Sequence, residues 1–212
     1  MMKYLIKSCK IIQKQSRWHG KKVDIYLEKG KIIKIGKNLE IKKATMIEGK
    51  DLHCSAGWMD IGTHLGEPGY EHRETMDTLS AAAAMGGYTD VATMPNTLPA
   101  VQTKGQLNNI VTLGQAVGLD IHPLGALSDN LQGDNITEYI DMHRHGAIGF
   151  TDGLCSISKS GLLLKALQYT KGIDSVILHH PNDVELSNED QIHEGEVSTS
   201  MGLKGSPSMA EV

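Results

Sequence analysis

From Ala56 onward the chain alternates short apolar runs with longer segments of helical pattern, and this alternation constrains the fold more than any other feature. Strands are expected near Ala56–Thr63, Tyr88–Thr93, Ile121–Leu127, Ala147–Thr151 and Ser175–His179. Helices are expected near Thr75–Met85, Lys104–Val117, Asn135–His145 and Ser160–Tyr169. Repeated strand–helix alternation implies parallel strands joined by right-handed crossovers. Eight such units close a barrel in about 250 residues, so five units between residues 56 and 212 run at the pace of a barrel that is not finished. The expected fold class is α/β, a TIM-like (β/α)8 barrel with about its first five units present. Near the end, Ser206 and Pro207 read as the N-cap and first position of a further helix.

Residues 1–55 have a different texture and are expected to form a separate small β domain, with residues 56–212 as the second domain. Tyr4-Leu5-Ile6, Val23–Leu27 and Lys31–Ile35 alternate apolar with polar, and Glu28-Lys29-Gly30-Lys31 reads as a hairpin turn. Lysines at alternate positions suit an edge or a wet sheet face.

Composition narrows the function classes. The net charge is −4 and the basic residues form no continuous stripe, which argues against nucleic acid as a partner. No window approaches the ~20 apolar residues of a membrane span, and the opening MMKYLIKSCKII lacks the apolar core of a signal peptide. Three scattered cysteines, Cys9, Cys54 and Cys155, make neither a disulfide framework nor a structural zinc site, so a reducing cytoplasm is the expected location.

Candidate chemistry gathers at the expected strand ends, where parallel α/β folds carry their sites. His64 follows the first strand, Asn96 stands between Pro95 and Thr97 after the second, Asp152 ends the fourth, and His179-His180 ends the fifth. Histidines and carboxylates converging at a barrel mouth can build a two-metal hydrolytic site, and the amide of Asn96 can hold a carboxylate or imide or simply hold its turn. Glu67-Pro68-Gly69 reads as a turn and Gly86-Gly87 as a helix cap. His143 and His145 sit two apart on a helix, on different faces, so a shared metal is not expected.

Gly57-Trp58-Met59-Asp60, His64, Glu67-Pro68-Gly69, the alanine run with Gly86-Gly87-Tyr88-Thr89, and Met94-Pro95-Asn96-Thr97-Leu98-Pro99 together resemble the dihydroorotases of the amidohydrolase superfamily. The resemblance implies a small N-terminal β-sandwich domain beside an amidohydrolase barrel. It implies a cytoplasmic zinc enzyme with one or two ions, which reversibly cyclises N-carbamoyl-L-aspartate to L-dihydroorotate in pyrimidine biosynthesis. Carried over residue by residue, it makes His64, Asp152 and His180 metal ligands, with His179 as the rival of His180, and Asn96 a substrate-binding residue. It places no catalytic residue within the chain.

The same resemblance exposes departures, among them Asp152-Gly153 where the family has a second aspartate, and two vacancies in one motif. Where the family has His-x-His-x-Arg, this chain has Gly62-Thr63-His64-Leu65-Gly66, so a metal ligand and the substrate-pairing arginine are replaced by glycine. A catalytically silent scaffold, of the kind that assembles with aspartate transcarbamoylase, is therefore the alternative to an active enzyme. A homodimer is a further expected assembly, and a hydantoinase or allantoinase is a third functional reading.

Overall fold

A computed structural model describes residues 2–211, in which the chain divides into two compact units, Met1–Gly57 and Trp58–Val212. The first unit is a five-stranded mixed sheet. Strands β1 (Lys3–Ile11), β2 (Lys22–Glu28) and β3 (Lys31–Gly36) pair antiparallel, and the hairpin between β2 and β3 turns at Lys29-Gly30. Two short parallel strands, β4 (Thr45–Ile47) and β5 (His53–Cys54), also pair with β1. At three and two residues they are too short to show a period-two pattern, which is why the sequence reading has only the three longer strands.

Strand β1 bulges between Ile6 and Cys9, with Ser8 at φ +51°. The buried Asp24 carboxylate fills that bulge. It accepts the Ser8 N–H at 2.9 Å, the Leu39 N–H at 2.8 Å and the Lys7 ammonium at 2.9 Å. Burial alone would raise this carboxyl, but the Ser8, Lys7 and Leu39 contacts outweigh it and hold Asp24 below the usual carboxylate range.

The second unit alternates strand and helix, as its sequence pattern requires. In order it contains β6 (Trp58–Thr63), α1 (Met76–Gly86), β7 (Tyr88–Thr93), α2 (Lys104–Val117), β8 (Asp120–Pro123), β9 (Gly125–Ala126), α3 (Tyr139–Arg144), β10 (Gly149–Thr151), α4 (Ser160–Gly172) and β11 (Val176–Ile177). Strands β6, β7 and β8 pair parallel in that order, as do β9, β10 and β11. Only Leu124 separates β8 from β9, and its N–H still reaches Thr93 O at 2.9 Å, so the parallel strands follow one another in chain order. The single strand expected over Ile121–Leu127 is thus split. It changes partner at this point, with Ala126 N–H turning to Val101 O at 2.7 Å.

Helices α1 and α2 begin with capping boxes at Thr75 and Thr103, and each ends on a left-handed glycine, Gly87 and Gly118. They bury Leu79, Leu107 and Ile110 against Val91 and Ile121 of the sheet in one core that also takes in Tyr139, Met142 and Phe150. Helix α3 is shorter than the expected Asn135–His145, because Ile136 pairs with Ser128 in a bridge and Asn135 O accepts the Asp129 N–H. Met59 and Ile61 of β6 and Val176 of β11 are exposed at 42%, 64% and 59%.

After β11 come β12 (Ile192–His193), α5 (Glu196–Met201) and β13 (Gly205–Ser206). Ser206 therefore lies in a strand paired with β12 instead of capping a helix, and only a 3-10 turn follows at Ser208–Glu211. Among the described residues no helix is long and apolar enough to cross a membrane.

Candidate functional site at the carboxyl edge of the parallel sheet

The carboxyl ends of β7, β9, β10 and β11 meet around Asp152. This residue follows β10 and is 3% exposed. One carboxylate oxygen, Oδ1, accepts the N–H groups of Leu127 and Ser128 at 2.8 and 2.9 Å, and Oδ2 accepts the Ser128 hydroxyl. Ser128 Oγ in turn accepts the Gly133 N–H at 2.7 Å, and the Tyr139 hydroxyl donates to Leu127 O. Asp152 thereby ties down the start of the loop that leaves β9, and Ser128 ties that start to Gly133. Burial first, and the nearby Asp152 charge second, push the Tyr139 phenol well above its ordinary value, so it stays a neutral donor.

Asn96 lies beside this network. Its Nδ2 donates to Asp152 O at 3.3 Å, while its Oδ1 is buried against Gly153 with no hydrogen-bond partner among the described residues. The segment around Asn96 is held by Met94 N–H to Thr63 O, Val101 N–H to Pro95 O and Leu98 N–H to Pro68 O, each within 3.0 Å. The last of these bonds docks the Glu67-Pro68-Gly69 turn on the Asn96 loop. Glu67 has a second task that its turn sequence did not reveal: its carboxylate accepts the Met76 N–H at 2.9 Å and so caps α1.

The expected metal ligands do not form one set. His64 is exposed just past the end of β6. His180 is exposed too, and its carbonyl accepts the Ser156 hydroxyl at 2.7 Å. Of the two adjacent histidines, His179 is the half-buried one. Burial lowers its pKa first and the neighbouring His180 lowers it further, with Asp152 pulling in the opposite direction. Among the described residues no group of three or more His, Cys, Asp or Glu side chains is placed to hold a metal.

Zinc, which the family resemblance implies, therefore does not fit the residues described. Asp152 has both oxygens engaged. Gly62 supplies no donor, and its φ of +91° is a backbone state that side-chain-bearing residues avoid. A Cβ at Gly66 would fall 2.4 Å from Glu74 O and 2.5 Å from Tyr70 O, so no arginine fits there either.

Sequence reasoning missed three further groups. Ser128 carried no spacing signal, because its partner Asp152 lies 24 residues away. The buried Thr93 hydroxyl at the end of β7 has no hydrogen-bond partner among the described residues. His122 and Asp90 pair at 2.8 Å diagonally across β8 and β7, His122 being in register with Ala92 and Asp90 with Asp120, a contact that only the assembled sheet makes. His143 and His145 bond separate carbonyls, Ala147 O and Asp141 O, and share nothing.

A family model described as dihydro-orotase-like matches residues 54–212. The dihydroorotase of Pelotomaculum thermopropionicum is 35% identical over 99% of this chain and 49% of its own length. That of Lactococcus lactis is 32% identical over the same shares. The chain thus spans about half the length of the curated relatives it matches. Among solved structures, the L-hydantoinase (dihydropyrimidinase) from Arthrobacter aurescens superposes with a TM-score of 0.66 at 22% identity, over 88% of this chain and 42% of that one. A dihydroorotase crystal structure gives 0.62 at 12% identity, over 85% and 51%. At such identities the structural likeness speaks for the fold alone, an α/β fold of the amidohydrolase kind. With the family model covering three quarters of its length, the chain belongs to the dihydroorotase-like family of amidohydrolases.

Proposed function

We propose that these residues form the first half of a dihydroorotase-like cyclic amidohydrolase that interconverts N-carbamoyl-L-aspartate and L-dihydroorotate in pyrimidine biosynthesis. The full protein would complete an eight-stranded barrel beside a small β-sandwich domain. The observation that carries this reading is the family match over residues 54–212, which includes the Asn96 loop at the carboxyl end of β7. Asn96 is the residue of this half that would touch substrate. One Nδ2 hydrogen is spent on Asp152 O, leaving the other for a substrate carboxylate. The described residues do not present a zinc ligand set.

The test is a dihydroorotate hydrolysis assay on the full-length protein, run also in the cyclising direction. Turnover in both directions is expected, with Asn96→Ala raising KM at least tenfold. Absence of turnover in a folded protein overturns the reading.

A second reading takes its support from the pair Gly62 and Gly66. A backbone of glycine-only geometry at the first ligand position, and a packed backbone at the arginine position, suit a silent barrel kept as a binding subunit, for instance in assembly with aspartate transcarbamoylase. Co-elution with that enzyme in the absence of turnover would establish this alternative. A monodisperse protein that ignores it would dismiss the assembly.

A further inference from the structure

We propose that the carboxyl edge of this sheet is closed to the binuclear zinc centre of its family, with Asp152 serving as the clamp of the loop 127–133 instead of as a ligand. The closure follows from packing and is independent of the proposed reaction.

A carboxylate can ligate a metal only with a lone pair free to face it. Asp152 receives two backbone N–H groups on one oxygen and a hydroxyl on the other, so three of its roughly four lone-pair sites are used and the remaining one, on Oδ2, belongs to a residue that is almost fully buried. Turning the carboxylate toward a metal would strand the N–H groups of Leu127 and Ser128 in the interior, where an unpaired donor is strongly unfavourable. The clamp also extends past its direct partners. Ser128 Oγ relays it to Gly133, so one carboxylate sets the path of the loop from the end of β9 to Gly133.

The β6 side is closed independently. Gly62 sits where β6 slips its register against β7, between the Ile61–Ala92 and Thr63–Thr93 pairs, and its positive φ is what the slip demands. Space for a side chain exists there, since the nearest atom to an added Cβ is Met94 Sδ at 4.0 Å. The obstacle is the backbone. A histidine placed at this residue would either take up a positive φ that L-residues disfavour, its Cβ then leaving the strand in a direction that a regular strand position does not give, or flatten the bulge and change how β6 registers with β7. The missing ligand is therefore built out of the strand and not merely substituted.

The experiment uses the full-length protein equilibrated with zinc and then dialysed. Zinc per chain is read by elemental analysis and loop protection by amide hydrogen exchange, in wild type, Asp152→Ala, Ser128→Ala and Gly62→His. The expected result is fewer than two zinc per chain in wild type, with the same number in all four; two per chain in wild type would overturn the proposal. Exchange at Leu127 and Ser128 should quicken at least about tenfold in Asp152→Ala, the effect of losing one ordinary hydrogen bond. Ser128→Ala should quicken exchange at Gly133, and it keeps the test decisive if Asp152→Ala fails to fold. Loss of about one zinc per chain in either clamp variant, gain of one in Gly62→His, or unchanged exchange in Asp152→Ala would each overturn the proposal. Dihydroorotate turnover is scored separately and bears only on the proposed reaction.

Discussion

Asp24 in the first unit and Asp152 in the second are both buried carboxylates that stitch a neighbouring segment to a strand through backbone N–H groups, Ser8 and Leu39 in one case and Leu127 and Ser128 in the other. They differ in their third partner. Asp24 has the Lys7 ammonium, whereas Asp152 has the neutral hydroxyl of Ser128. Only Asp152 stands at a strand end where the family resemblance assigns a metal. Position in the fold thus suggested chemistry for one and not for the other, while the bonds give both the same task. A carboxylate's role is read from how many of its lone pairs are already used.

If the comparison holds, removing the carboxylate with the charged partner is the larger insult. Asp24→Ala leaves Lys7 without its counter-ion and the bulge N–H of Ser8 without an acceptor, and should destabilise the first unit by about 3–4 kcal/mol. Thermal unfolding followed by Trp18, which packs on that unit's core, reads this in a Trp58→Phe background. Asp152→Ala strands two N–H groups but no cation, so a smaller loss of about 2–3 kcal/mol is expected in the second unit. Equal losses would erase the distinction drawn from the lysine.

Acid offers a milder way to separate the two units. The folded-state pKa of Asp24 lies below its unfolded value near 3.9, so the unfolded chain takes up the proton first as pH falls. The stabilisation is fully present above about pH 4 and is lost as pH falls through the folded pKa. Unfolding of the first unit between pH 5 and 2 should show this decline, and Asp24→Asn should flatten it. A decline that persists in Asp24→Asn would assign it to other carboxylates.

The closed positions on the β6 side give a third contrast, between a glycine held by space and one held by backbone angle. At Gly66 the obstruction is backbone oxygen on two sides, which cannot swing away as a side-chain tip could. Gly66→Ala is expected to destabilise the second unit by about 2 kcal/mol, measured as a fall in its urea midpoint at unchanged slope. An unchanged midpoint would mean that the Glu67-Pro68-Gly69 turn shifts to make room.

These contrasts mark what the sequence could disclose. Helix α2 was legible to the residue because Thr103, Gln106 and Gly118 are local signals that act within one turn of the helix they bound. The order of strands was legible because alternation alone implies it. Helix α3 was not, since the residues ahead of it are taken up by a bridge to Ser128 that no short-range pattern encodes. The same holds at the site. The strand ends could be located, but not that Asp152 would be held from 24 and 25 residues away, nor that His179 would be the half-buried histidine and His180 the exposed one. The glycines at 62 and 66 were visible as departures from a pattern. That one is a matter of φ and the other of a packed backbone is a property of the assembled strand and turn.

The smallest expected effect belongs to Gly62, and it is the most informative about how the first ligand position was lost. An alanine there meets no atom closer than Met94 Sδ at 4.0 Å, so crowding contributes nothing and only the positive φ opposes it. Gly62→Ala should therefore destabilise the second unit by about 1 kcal/mol, the penalty for an L-residue in that region. The register slip beside it should survive, since a penalty of that size is tolerated where neighbouring pairs hold the strand on both sides. Backbone amide shifts of Ile61, Thr63 and their partners Ala92 and Thr93 would report it. A loss near 1 kcal/mol with those shifts unmoved would mean that the bulge is set by the β6–β7 pairing and that glycine accommodates it. Large shifts at Ala92 and Thr93 would mean instead that glycine creates the bulge, and that a side chain at residue 62 restores the straight strand on which a ligand could stand.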